Sequence, residues 1–347
     1  MKTDEYKVIS DPSSEVWTSF LMKFAGGNLQ QSFDYGKVAK EANPNARVVR
    51  LLALDGDNPM GLVQAIYRKR FGIGDRLEVG GTYGNGPVTA ELDSKKDVLS
   101  CLIEALENYG VSNRICEAFV YWREDWGMKE VFNEKGYEQT SSFNVYKVDL
   151  KGNVDQFWKN IAHNKRRNIM KAEAQGVQVI QGSSNKDLIS FNEMLEISGN
   201  RADFIPPPFS MFNAYLKVFG AQGKAKIFLA TLGGNQIAGV FVVVHGDTAY
   251  ALGAGSREEA WDVRPNDILH YKAMEWACRE GLLKYHMGYV SDPPPTEGSP
   301  LWGLWRWKRE WKGDLEKTVL YSKVFMPNLK RFFITPYERV YSLMRRK

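Results

Sequence analysis

The chain has 347 residues, 44% of them hydrophobic and 25% charged, and a net charge of +5. That length exceeds one ordinary domain and suits two, each able to bury its own core. Its apolar runs, of which Ile237–Val244 is the best, fall well short of a membrane span, and Cys101, Cys116 and Cys278 fit neither a disulfide framework nor a metal-knuckle spacing, which excludes a membrane-spanning protein, a small secreted scaffold and a zinc ribbon.

Taken in chain order, Arg47–Leu54 reads as a strand, Asp55–Pro59 as a turn and Gly61–Tyr67 as the returning strand of a hairpin. Asp97–Tyr109 carries Val98, Leu102, Ala105, Leu106 and Tyr109 on one stripe and reads as a helix capped by Gly110. The turn Glu134-Lys135-Gly136-Tyr137 leads into strand Phe143–Leu150. Asp155–Gln175 reads as one helix, stopped by Gly176 before strand Val177–Gln181.

The same design then returns. Lys226–Thr231, Gly233-Gly234-Asn235 and Ile237–Val244 form a second hairpin. Asp267–Glu280 forms a second helix ending at Gly281, and Trp311-Lys312-Gly313-Asp314 leads into strand Thr318–Phe325. Matching glycines recur at close offsets: Gly61 and Gly239 are 178 apart, Gly110 and Gly281 are 171, and Gly136 and Gly313 are 177. This pattern predicts an internal duplication, with domains at 1–150 and 151–347. Each is expected to be of α/β class, a mixed sheet covered by helices.

Charge divides along the same line. Residues 1–150 carry −4 and residues 151–347 carry +9, and the stretch from Lys323 to Lys347 has seven basic side chains and one acidic. A basic half suits an anionic partner, and a solvated tail is the bland reading. No apolar h-region follows Met1–Tyr6, so no signal peptide is read and a cytoplasmic location is expected.

Several chemistries have no signature here. There is no Gly-x-Ser-x-Gly elbow, no His-Glu-x-x-His helix and no complete phosphate loop, and His163, His245, His270 and His286 show no i, i+4 pair, so no metal is expected. Lys69-Arg70-Phe71-Gly72-Ile73-Gly74 imitates a pyrophosphate-cradling turn, with Lys where Arg or Gln belongs. A plain loop is the preferred reading.

Five segments together resemble the FemAB-like peptidyltransferases, which are built from two tandem GNAT-type domains (the acyl-CoA N-acyltransferase fold). Gln31-Ser32-Phe33-Asp34-Tyr35-Gly36 is similar to the family's opening motif, with Tyr where Trp is usual. Gly86-Pro87-Val88 resembles its Gly-Pro-Val turn, and Arg166–Ala172 its Arg-rich helix. Arg201-Ala202-Asp203-Phe204 is similar to its Arg-Asp-Gly-Phe segment. Trp307–Gly313 resembles Phe-Lys-x-x-Phe-Gly.

The resemblance implies transfer of an aminoacyl group from aminoacyl-tRNA to the amine of a phosphate-bearing cell-wall peptide or nucleotide-sugar precursor. Lys308 matches the motif lysine assigned to the reacting carbonyl or to phosphate; at the carbonyl a fixed cation would stabilise the developing oxyanion, and a surface lysine on the last hairpin is its other reading. Arg201, read in a polar loop stiffened by Pro206–Pro208, matches a phosphate-contacting arginine whose planar fork suits phosphate oxygens. Lys37 or Lys40 matches a second phosphate-binding lysine, with Lys37 preferred. Tyr250 matches a site-lining tyrosine, with core packing as its other reading. Trp307 and its neighbouring tryptophans suit stacking on a base or sugar, or packing between the domains. Arg166 and Arg167 would hold an RNA backbone or decorate a helix face.

Two departures from the family's pattern stand out. The Asp-Pro pair of some members has no counterpart near Tyr121–Asp125, and the frequent Asp-x-Gly reads His286-Met287-Gly288 here, which makes His286 a base candidate by residue type. From Asn328 the tail alternates aromatic and basic residues. It could rest on anionic membrane or dock on the acidic first domain. No cofactor is expected. Two rival readings remain: an acyl-CoA-dependent N-acyltransferase of the same fold, and a non-catalytic module that binds nucleic acid or membrane.

Overall fold

A computed structural model describes residues 6–25, 28–69, 75–81, 86–90, 94–150, 153–202, 204–299 and 301–326. The Lys69–Gly74 imitation and the basic tail from Asn328 therefore lie outside the described residues, apart from Lys69. The chain forms two compact units, residues 1–143 with 317–347, and residues 144–316. The last strand of the sequence thus belongs to the first unit.

The first unit contains β1 (Lys7–Ser10), α1 (Ser14–Ala25), α2 (Phe33–Ala42), β2 (Arg47–Asp55), β3 (Asn58–Arg68), β4 (Arg76–Val79), β5 (Val88–Thr89), α3 (Lys95–Ser112), β6 (Glu117–Arg123), α4 (Lys129–Glu134) and the start of β7 (Glu138–Asp149). Its strands run β1-β2-β3-β4-β6 with the final strand β13 (Asp314–Val324) beside β6. The β2–β3 pair is the expected hairpin, with a bulge at Met60. β4 and β6 are parallel, and the other described ladders are antiparallel.

Side-chain alternation explains why β2 and β3 are almost continuously apolar. Leu51, Ala53, Val63 and Ala65 face the α3 side, whereas Leu52 and Leu62 meet Trp17, Phe20 and Leu21 of α1. The helix predicted at Asp97–Tyr109 runs on to Ser112, so Gly110 lies within it and is not its cap. A Cβ there would lie 2.4 Å from the Phe325 ring, and close packing is why glycine stands at that position.

The second unit continues with α5 (Val154–Asn160), α6 (His163–Ala174), β8 (Gln178–Gly182), α7 (Asn185–Ala202), α8 (Phe209–Tyr215), β9 (Ala225–Leu232), β10 (Asn235–His245), β11 (Thr248–Ser256), α9 (Pro265–Arg279), β12 (Lys284–Ser291) and α10 (Trp302–Arg309). Its strand order is β7-β12-β11-β10-β9-β8. The β9–β10 hairpin repeats the bulge, at Ile237, and β11–β12 repeats the parallel pair. One face of β10, with Val240 and Val242, packs with Ile268, Leu269 and Met274 of α9. Phe241 faces the opposite way, against Phe191 and Phe212.

The single helix expected at Asp155–Gln175 is two. Ile161 and Ala162 leave helical geometry, and Ala162 N–H donates to the Glu310 carbonyl at 3.0 Å. Arg166 of α6 then donates to the carbonyls of Trp158 and Lys159 at 3.3 and 2.9 Å, satisfying the C-terminus of α5. No described helix is long and apolar enough to cross a membrane.

Candidate active site in the second unit

The parallel strands β11 and β12 stay in register for only three pairs, Thr248↔Lys284, Ala249↔Tyr285 and Tyr250↔His286. Two local features part them. β11 bulges at Leu252 against β10, and Gly288 takes a left-handed φ of +78° in β12. At the last pair the rings of Tyr250 and His286 stack, with centroids 5.1 Å apart. Beyond it the ladder ends, which leaves an opening between the two strands.

His286 Nδ1 accepts the Gly288 N–H at 3.2 Å. An Asp two residues before that glycine could accept the same bond, which accounts physically for His in an Asp-x-Gly position. With Nδ1 accepting, the neutral ring carries its proton on Nε2, and its one lone pair is engaged by the turn. His286 therefore serves the turn, and the reading of it as a base loses its support. Tyr250 is 2% exposed, at the floor of the parting strands.

Lys308 reaches the opening from α10. Its segment is a short helix and not a hairpin, and Lys308 is the buried residue of that helix, 6% exposed, not a surface lysine. Its ammonium donates to the Tyr289 carbonyl of β12 at 2.7 Å, just past the end of the ladder. Burial lowers its pKa from 10.5 to about 8. At neutral pH it is thus a mostly protonated, poorly hydrated cation, which responds strongly to negative charge developing nearby.

A buried polar chain runs beside it. Asp267, in the first turn of α9, accepts the Lys165 ammonium and the Trp307 indole N–H on the same Oδ1, each at 2.6 Å. His270, one turn further along α9, lies edge-on to Trp307 and shares a 3.2 Å hydrogen bond with the Tyr285 hydroxyl. Burial, with the positive charges of Lys165 and Lys308, lowers the His270 pKa to about 3, so it stays neutral. Trp307 is therefore committed to Asp267 through its N–H. Trp305 packs edge-on to Tyr146, and Trp311 lies in the core of this unit, stacked near Phe157.

Arg201 occupies the last turn of α7 and not a loop. Its fork donates to the Ser256 carbonyl at 3.0 Å and to Ser198 Oγ at 3.3 Å, and its guanidinium covers Trp261 at 4.5 Å. Trp261 and Asn266 both donate to Ser256 Oγ, so the end of β11 and the start of α9 form one hydrogen-bonded cluster around Ser256.

Lys37 belongs to the first unit, where its side chain is 57% exposed and pairs with Asp34 at 2.7 Å. Lys40 is exposed on the same helix. The opening motif around them is a clamp. Gln31 exchanges hydrogen bonds with the Gln64 backbone, and Gln64 in turn bonds the carbonyls of Gln30 and Ser32. Arg50, its pKa lowered by burial to about 10, holds the Gln64 side chain and the Phe33 carbonyl.

Lys165, Asp267 and His270 lie outside the five segments that carry the resemblance. A signal did exist: Lys165, Ile169 and Ala172 share one stripe of α6, which places a lysine on an apolar face.

Comparisons with known proteins agree with this architecture. Residues 159–325 match the family model described as an Acetyltransferase (GNAT) domain. Lipid II:glycine glycyltransferase of Staphylococcus aureus is 29% identical over 86 residues, which is 25% of this chain and 20% of that protein's own length. A crystal structure of FemX superposes with a TM-score of 0.78 at 15% identity, covering 94% of this chain and 99% of that one. A tandem GNAT protein from the clavulanic acid biosynthesis pathway superposes with a TM-score of 0.60 at 10% identity, covering 92% and 99%. Residues 159–325 thus match a GNAT domain, and the two solved structures show that the chain has the tandem GNAT fold.

Proposed function

We propose that the protein is an N-acyltransferase that moves an aminoacyl group from aminoacyl-tRNA to the amine of a phosphate-bearing cell-wall peptide precursor. The observation that carries this reading is the buried Lys308 ammonium, set against the Tyr289 carbonyl where β11 and β12 part. The acceptor amine attacks the ester carbonyl, and the carbonyl oxygen gains negative charge near Lys308. That attack forms the carbon–nitrogen bond; the ester carbon–oxygen bond then breaks, and the ribose oxygen leaves with the proton that the amine gives up. Arg201 and Lys37 are assigned to acceptor phosphates, and Tyr250 to the floor of the opening.

The turn before α9 favours an ester donor over acyl-CoA. A pyrophosphate is held by glycine-flanked backbone N–H groups at a helix N-terminus. Here residues 257–264 contain no glycine and three acids, Glu258, Glu259 and Asp262. Pro265 at the first position of α9 has no N–H, and Asp267 already supplies an internal anion to that first turn.

The test is transfer of labelled amino acids from bulk charged tRNA to lipid II, the substrate named for the glycyltransferase relative, and to its nucleotide-linked precursor. Product formed from charged tRNA supports the proposal. Product formed from an acyl-CoA alone overturns it.

A further inference from the structure

Lys165 lies wholly inside the second unit, with its side chain 0% exposed, and the reaction proposed above gives it no task. Its ammonium touches carboxylates from two places, Asp267 Oδ1 at 2.6 Å and Glu310 Oε2 at 3.1 Å. It also lies 4.7 and 4.9 Å from the ring centroids of Trp307 and Trp311. The Asp267 oxygen that it holds is the one that takes the Trp307 indole N–H. Residues 307, 310 and 311 are thus all fastened to a single cation, and Lys308 lies among them.

Geometry gives this fastening a consequence. α10 has eight residues, too short to hold its own orientation, and successive side chains are set about 100° apart around a helix. A rotation of α10 by one residue would take Lys308 off the Tyr289 carbonyl. An apolar side chain at position 165 would fill the space beside Ile169 and Ala172, but it would let α10 slide; two directional bonds and an ion pair do not.

We propose that Lys165 is a positioning residue, which through Asp267, Trp307 and Glu310 sets the rotation of α10 and hence the place where the Lys308 ammonium meets β12. The role rests on the assignment of Lys308 as the oxyanion-stabilising cation.

The deciding variant is Lys165→Met/Asp267→Asn, which removes both buried charges together and so avoids stranding one of them. Two readouts apply. In the transfer assay, with bulk charged tRNA and lipid II, kcat falls at least tenfold and KM for lipid II stays within twofold. In unfolding experiments, the change that Lys308→Met makes to stability between pH 7 and 9.5 in the wild type disappears in the double variant, because Lys308 has relaxed toward solvent. The titratable groups at this corner are Lys165 with the carboxylates Asp267 and Glu310 that it touches, Lys308, and His270 with the Tyr285 hydroxyl bonded to it.

A folded double variant with kcat within twofold, or with the Lys308 pH signature intact, overturns the proposal. Should the double variant not fold, Glu310→Met cuts the second tie alone, with about a fivefold loss in kcat expected and no loss overturning the role. A Lys308→Met enzyme that stays active overturns the reading of Lys308 and the positioning role with it. An inactive Lys308→Met beside an unimpaired Lys165 variant overturns the positioning role only.

Discussion

Replacing Lys308 with methionine should separate function from stability, because the ammonium is placed at a cost to the fold. Its pKa falls from 10.5 to about 8 on burial, which corresponds to about 3 kcal/mol of unfavourable free energy while it stays charged. Methionine has a similar length and no charge, and the substitution gives up only the bond to the Tyr289 carbonyl, worth about 1 kcal/mol. Lys308→Met should therefore be more stable than the wild type by about 2 kcal/mol at pH 7. The sign of the pH dependence follows from linkage. Between pH 8 and 10.5 the unfolded lysine holds a proton that the folded one has lost, so wild-type stability climbs and the advantage closes to near zero by about pH 9.5. Urea unfolding of both proteins at pH 7 and pH 9.5 measures this, and aminoacyl transfer should fall by about 10²–10³ in the same variant. A variant less stable than the wild type at pH 7, by an offset that does not move with pH, would show that the ammonium is well paired and would refute the reasoning.

Further predictions follow from single contacts. His270, with its pKa lowered to about 3, must take up a proton against its surroundings in acid; stability is fully present above about pH 6.5 and should fall by about 3 kcal/mol as pH drops to 4, a loss that His270→Gln removes in acid titrations followed by circular dichroism. Gly313→Ala would set a Cβ 2.1 Å from the Lys147 carbonyl and should cost about 3 kcal/mol in urea unfolding. Gly303→Ala, in α10 with nothing within 4 Å, should instead stabilise by about 0.5–1 kcal/mol. Lys37→Ala removes an exposed cation and should leave the unfolding midpoint unchanged while raising the acceptor KM about tenfold; an effect from Lys40→Ala with none from Lys37→Ala would move the phosphate assignment to Lys40.

The duplication was legible because its landmarks are local. Apolar runs, hairpin turns and the left-handed glycines Gly136 and Gly281 need no distant partner to be recognised. Gly313 is a different case: Lys312 takes the left-handed φ of +54°, and glycine at 313 answers to the Lys147 carbonyl, far away in sequence. Gly110 misled for the same reason, since its neighbour is Phe325 and not the end of its helix. The break at Ile161 and Ala162 depends on the Glu310 carbonyl, again a distant group.

For the candidate site, the resemblance singled out Lys308, but nothing local told a surface lysine from a buried one. The tryptophans around it suggested a stacking surface, whereas Trp307 is bonded to Asp267 and Trp311 belongs to the core. Lys165 could have been found from its place on the Ile169–Ala172 stripe. Its partners Asp267 and Glu310 lie more than a hundred residues further along, and sequence spacing alone does not pair them.

Donor choice separates an aminoacyl-tRNA enzyme from an acyl-CoA enzyme. Wild-type protein and Lys308→Met are each given labelled aminoacyl-tRNA or acetyl-CoA, with lipid II as acceptor, and the modified acceptor is quantified. Product is expected from aminoacyl-tRNA with the wild type only, and none from acetyl-CoA. Product from acetyl-CoA, or equal product from Lys308→Met, would contradict the proposed function.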